Sequence, residues 1–194
     1  MSVPTPSDAP IGYAYKASLI GSAQEFELTE QGLSWRFAGH AGVWPYADIA
    51  AIRLSYRPVS MQAKRFRAEI THRDGRRLNV ISTTWQTVTL MVPQSEAYRT
   101  FILALHARLA AAGSTARLTG GLGRAVYAAA VAVMAVVTVA MAALLVRALV
   151  ITEWSGALFL IGFAALFAWQ VGGFVIRNKP QTYTFAAIPP ALLP

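Results

Sequence analysis

Two stretches of this chain carry no charge, and they limit its fold more than any other feature. Residues 125–146 and 154–176 hold 38 apolar side chains in 45 positions. As helices rising 1.5 Å per residue they are about 33 and 35 Å long, enough to cross a hydrocarbon layer of about 30 Å. Buried inside a soluble protein instead, such a pair needs far more surrounding chain than the roughly 150 remaining residues provide. The sequence therefore predicts two membrane spans over residues 125–177. The loop at 147–153 is short enough to make them antiparallel neighbours. Outside the two windows the apolar share falls to roughly 46%, ordinary for a globular domain.

Lys and Arg resist translocation, so the flanks of the spans predict their orientation. Arg117 and Arg124 precede the first span, Arg177 and Lys179 follow the second, and the loop offers only Arg147. Four against one places both termini in the cytoplasm. Tyr127 and Trp154 then anchor opposite interfaces, and Arg147 snorkels outward. Residues 1–10, with three prolines and no apolar run, read as a flexible N-terminus rather than a signal peptide, which leaves the first span as the insertion signal. The net charge of +8 divides as +6 over residues 1–124, from 14 basic and 8 acidic side chains, and +2 after them. With no cysteine, the chain has no thiol nucleophile, thiolate zinc site or cysteine-held iron–sulfur cluster.

Residues 11–113 read as one cytoplasmic domain, joined to the spans by a Gly-rich linker at 114–124. Its pattern is mostly period two. Phe26 and Leu28 alternate with Glu25 and Glu27, and after a turn at Glu30-Gln31-Gly32, Leu33, Trp35 and Phe37 alternate with Ser34 and Arg36. Further strands are expected at 13–20, 48–57, 65–72, 77–82 and 87–92, seven in all. After Pro93 the period lengthens: Tyr98, Phe101, Ile102, Leu105 and Leu109 make a single helix stripe, with Ser95 as N-cap, Glu96 in the first turn and Gly113 as the stop.

Seven short strands followed by one amphipathic helix, with Phe26-Glu27-Leu28, Gly32-Leu33-Ser34-Trp35 and Asp48-Ile49-Ala50-Ala51-Ile52-Arg53-Leu54 as local phrasing, resemble a bacterial pleckstrin-homology-like domain. The resemblance covers about half the chain, residues 13–112. It implies an α+β membrane protein: a seven-stranded bent sheet or barrel closed by its helix, followed by two antiparallel transmembrane helices in a bacterial inner membrane.

The sharpest motif is misleading. His72-Arg73-Asp74-Gly75-Arg76-Arg77-Leu78-Asn79 matches the kinase catalytic loop, yet the glycine-rich loop, strand lysine and metal-binding DFG that a kinase needs are missing. A β-hairpin explains it. A three-residue loop, Arg73-Asp74-Gly75, pairs Ile70 with Leu78 and Ala68 with Val80 and keeps one face apolar. That register places Arg65, Arg67 and Arg77 on the outer face, with Arg73 and Arg76 at the tip. These five arginines serve either as a solvated edge that discourages strand pairing or as a site for anionic lipid headgroups. Lys64-Arg65-Phe66-Arg67 resembles a fragment of the family's phosphoinositide pattern. Without a recognition helix or a stacking motif, the charge does not point to nucleic acid.

His40, His72 and His106 are dispersed and lack a carboxylate cluster, so no metal site is expected; His106 is expected on the helix flank. Glu25, Glu27 and Glu30 read as the outward face and turn of a hairpin. No P-loop, dinucleotide fingerprint or nucleophile elbow occurs, and neither catalytic residues nor a cofactor is expected. In the second span, Ala164, Ala168 and Gly172 form a small-residue face suited to packing on the first. Gln170 lies about 9 Å from the Ile176 end and Thr138 about 20 Å from the Ala125 end, too different in depth to pair. Gln170 can snorkel to cytoplasmic water, bond across a homo-oligomer or bond to a partner span. The tail, 178–194, has four prolines and reads as loose, the alternative being that Gln181-Thr182-Tyr183-Thr184-Phe185 docks as a strand on the domain. The resulting expectation is a non-enzymatic membrane protein whose domain binds headgroups or a peptide, or else a small scaffold subunit acting through its spans and tail.

Overall fold

Alternation of apolar and polar side chains sets the first sheet. The computed structural model describes residues 11–18, 21–57, 64–87, 91–152 and 154–194. In it β1 (Ile11–Tyr15), β2 (Gln24–Leu28), β3 (Leu33–Phe37) and β4 (His40–Trp44) form an antiparallel meander. Tyr13, Tyr15, Phe26 and Leu28 are buried, while Gly12, Ala14, Glu25 and Glu27 between them stay exposed. Strand β4 was not among the expected seven. Its sequence, His40-Ala41-Gly42-Val43-Trp44, has no apolar–polar alternation, and its pairing with β3 and the buried Trp44 hold it in the sheet.

The second meander, β5 (Ile49–Tyr56), β6 (Phe66–His72) and β7 (Arg77–Ile81), carries the basic hairpin. Ile70 lies opposite Leu78 and Ala68 opposite Val80, and the His72 amide donates to the Arg76 carbonyl across a three-residue loop. Gly75 closes that loop at φ +89°, in the left-handed region that a side chain resists. A small ribbon follows, β8 (Thr83–Trp85) paired with β9 (Met91–Pro93). Then comes α1 (Ser95–Ala111), in which Tyr98, Phe101, Ile102, Leu105 and Leu109 are fully buried. Each such side chain contributes about 1.5–3 kcal/mol by leaving water. Ser95 is the first helical residue rather than the cap; Gln94 takes the cap position, without a side-chain hydrogen bond.

The strand count and the closure of the sheet differ from expectation. Eleven strands among the described residues lie in three open sheets rather than in one seven-stranded barrel. Side chains join the sheets in place of a ladder: the Tyr13 and Tyr15 hydroxyls on β1 donate to the carbonyls of Ile81 and Asn79 on β7. The strand expected at 13–20 ends at Tyr15, and Leu19 and Ile20 lie outside the described residues. Of the strand expected at 87–92, Thr87 lies in a bend and Met91 and Val92 in β9, while 88–90 also lie outside the described residues. The expectations for residues 1–10 likewise fall outside the described residues.

The segment read as a linker is partly structured. Within it, β10 (Arg117–Gly120) runs parallel to β5, with Leu118 opposite Ile52. The chain then forms α2 (Arg124–Val150) and α3 (Trp154–Arg177), two helices long and apolar enough to cross a membrane, before returning as β11 (Gln181–Thr182) beside β10. Two compact units result. One unites the described residues up to Gly120 with Thr182–Pro194, and the other is Gly121–Gln181. In the second unit the Leu122 amide donates to the Asn178 carbonyl, and a Cβ on Gly121, at φ +81°, would collide with that same carbonyl.

Residues 182–194 do not trail as a loose tail. The Tyr183 amide donates to the Leu118 carbonyl, a 3-10 turn at Pro190–Leu192 packs on β5, and Leu192 and Leu193 are buried. Prolines at 189 and 190 stiffen this segment and thereby lower the entropy lost when it docks.

Candidate functional sites

The five arginines singled out from the sequence sit on one hairpin but in different environments. Arg65 is half-buried: its Nε donates to Thr83 Oγ1 at 3.2 Å, and Nη2 lies 3.5 Å from Met91 Sδ. Burial pulls its pKa below the ordinary arginine value. Arg67 donates to Asn79 Oδ1 through both Nε (2.9 Å) and Nη2 (2.5 Å), and Nη2 also reaches Glu69 Oε2 at 3.0 Å. These two are tied into the sheet. Arg73, Arg76 and Arg77 keep 60%, 61% and 65% of their side-chain surface in solvent and form a group at the hairpin's end.

That group is internally balanced. Arg73 meets Asp48 at 3.5 Å, Arg76 meets Asp74 at 2.6 Å and lies over the Trp44 ring, and Arg77 meets Glu69 at 3.3 Å. Asp74 also accepts from the Arg76 amide and faces His72 Nδ1 at 2.9 Å; chiefly through the backbone bond, its carboxyl is held down to about 2. Five guanidinium groups against Asp48, Glu69 and Asp74 leave a local charge of +2. The sheet brings in two cations not grouped with them from sequence: exposed Arg53 stands opposite Glu69, and exposed Arg117 stands two residues back along β10 from Thr119, the partner of Arg53. The alternation of Ile52-Arg53-Leu54 signals the first. Arg117 was hidden because β10 read as linker.

A second site joins the tail to α1. His106 is 1% exposed, not on the helix flank, because the returning tail covers it. Its Nδ1 lies 2.7 Å from the Ile102 carbonyl, which can only accept, so Nδ1 carries the proton and Nε2 accepts from the Tyr183 hydroxyl at 3.1 Å. The Tyr183 and Phe185 rings flank the imidazole, and its burial lowers the pKa. No spacing in the sequence links positions 106 and 183.

In the helical unit, Ala164, Ala168 and Gly172 line an apolar groove of about 500 Å³ between α3 and α2, opposite Met134, Thr138 and Met141. The Thr138 hydroxyl donates to the Met134 carbonyl of its own helix at 2.9 Å. Gln170 is exposed, two residues from both Ala168 and Gly172 and therefore on the opposite side of α3 from the groove. Among the described residues no group of three or more His, Cys, Asp or Glu side chains is placed to hold a metal ion. No family model matches this sequence, and comparisons with curated proteins and with solved structures return no match.

Proposed function

We propose that this chain is a non-enzymatic protein of the bacterial inner membrane. It presents a pleckstrin-homology-like module, with both termini cytoplasmic, to the anionic headgroups of the leaflet from which its spans emerge. A four-strand meander, a three-strand meander and a covering helix, in that order, support the module's kinship. The carrying observation is the group Arg73, Arg76 and Arg77: three guanidinium groups more than half in solvent at one hairpin end, in a chain with two membrane-length apolar helices. Anchoring raises the effective concentration of headgroups, so contacts worth about 1 kcal/mol per basic residue suffice. Arg65 and Arg67 hold the hairpin in shape. Because Asp48, Glu69 and Asp74 compete for the same guanidinium groups, the contact is weak and salt-sensitive.

The test uses the first unit as a soluble protein, with Gly120 joined to Gln181 through a short loop. Sedimentation with vesicles containing about a third anionic lipid should exceed that with zwitterionic vesicles. Substituting Arg73, Arg76 and Arg77 by Gln should abolish the difference, and equal sedimentation of substituted and unsubstituted protein overturns the reading. A second reading, a scaffold subunit of a membrane complex, draws on the internal pairing of those arginines and on the exposed Gln170. In that case a stoichiometric partner copurifies and vesicle composition has no effect.

A further inference from the structure

Gln170 is the feature of the helical unit that a lone copy leaves unexplained. It makes no hydrogen bond among the described residues, whereas Thr138, the comparable polar group of α2, is satisfied within its own helix. Taking α3 as a span, which rests on the membrane reading above, Gln170 lies six residues, about 9 Å, inside the Ile176 end. Hydrocarbon offers an amide no partner there, and a bare one is strongly disfavoured.

The neighbours of Gln170 have a period. Phe159, Phe163, Leu166, Gln170 and Gly173 follow at steps of 4, 3, 4 and 3, and all five are exposed. That is the 3.5-residue spacing of a left-handed helix–helix seam, on the side of α3 turned away from the α2 groove. Phe159 and Phe163 are already stacked at 6.3 Å. Gly173, with no side chain, lets a facing backbone approach closely beside Gln170.

We propose that this seam pairs with the same seam of a second copy, the two α3 helices running parallel about a two-fold axis along the membrane normal. Two-fold symmetry supplies the partner that the amide lacks. Identical residues meet at identical depth, so each Gln170 side chain donates an N–H to the other's oxygen. An unrelated span would have to bring a polar group to that one depth, which a second copy does by construction. A single polar residue in an apolar seam also fixes its register, because any slip buries two unpaired amides.

The chain has no cysteine, so single-cysteine variants of the full-length protein in native membranes report the seam without background. Under oxidation, Phe163→Cys, Leu166→Cys and Gly173→Cys should form a band of twice the chain mass. Ile161→Cys and Ala165→Cys, equally exposed but off the seam, should form little. In the Leu166→Cys background, Gln170→Leu removes both reciprocal hydrogen bonds and should lower the crosslinked fraction by at least about threefold, the effect of losing a single average side-chain hydrogen bond between spans, and Gln170→Asn should retain part of it. Equal crosslinking on and off the seam, adducts of any other mass, or an unchanged fraction in Gln170→Leu overturns the proposal. Washing the membranes with alkaline carbonate separates the two levels. A chain released by the wash removes the membrane reading itself, whereas a retained chain with a flat crosslinking profile removes only the dimer.

Discussion

At the residue scale, His106 shows how one buried imidazole makes the domain sensitive to acid. The Ile102 carbonyl fixes its tautomer, the Tyr183 hydroxyl uses its remaining lone pair, and the Phe185 ring packs edge-on against it at 6.2 Å between centroids. Above the ordinary histidine value of 6.5 the imidazole is neutral whether the chain is folded or not, and its contribution is complete. Below that value the unfolded chain takes up a proton that the buried site disfavours. Stability therefore falls as pH falls, by up to about 1.4 kcal/mol per pH unit, until the depressed folded value is reached. Protonation also removes the acceptor that Tyr183 uses, which weakens the tail's hold on α1. Thermal unfolding of the detergent-solubilised protein between pH 7.5 and 5 should show this loss, and His106→Gln should flatten the pH dependence while lowering the starting stability. An equally steep profile in His106→Gln would assign the acid sensitivity to another group.

At the scale of elements, legibility in the sequence followed how local the determinant was. The β6–β7 register was readable because only a three-residue loop keeps Ile70 and Leu78 on one face, and the α1 stripe because five apolar residues share a helical period. β10 was not: Thr119-Gly120-Gly121 has the composition of a linker, and its strand exists because β5 offers an edge more than 60 residues away. The tail was legible only as an alternative: strand character at 181–185 allowed docking, but a loose segment read as the simpler outcome. Its prolines argue for an extended chain, and only the surface of β5 and α1 turns that into a docked segment. The candidate site was half legible: alternation put the arginines on the outer face, but nothing local revealed that Glu69 would engage two of them. If the docked tail is part of the core, Leu192→Ala, at a fully buried position, should cost about 2–5 kcal/mol, as truncations in closed cores do. Denaturant unfolding of the first unit measures it, and a cost under about 0.5 kcal/mol would mean that the turn at Pro190–Leu192 rests on the surface without supporting it.

For the whole molecule, the consequence of the tail's return is that the helical hairpin is an insertion within the domain, not an appendage after it. β10 is hydrogen-bonded to both β5 and β11, so the strand that leads into α2 and the strand that leaves α3 belong to one sheet. Tyr183, Leu192 and Leu193 cannot take their places until both helices have been synthesised, so the domain completes its core only after the two apolar helices exist. The domain should accordingly tolerate loss of the hairpin better than loss of the tail. Replacing residues 121–180 by a four-residue Gly/Ser loop from Gly120 to Gln181 removes both apolar helices and keeps β11 and the buried leucines. The expected product is a soluble protein. Ending the chain at Gly120 instead forfeits the burial of Leu192, Leu193 and Tyr183, about 1.5–3 kcal/mol for each leucine. For chains of roughly 120–140 residues each kcal/mol moves the melting temperature by about 3–5 °C, so the truncated protein should melt about 10 °C or more below the bridged one. Scanning calorimetry on the two proteins decides it: melting temperatures within a few degrees of each other would return the tail to the surface and the hairpin to the end of a self-sufficient domain.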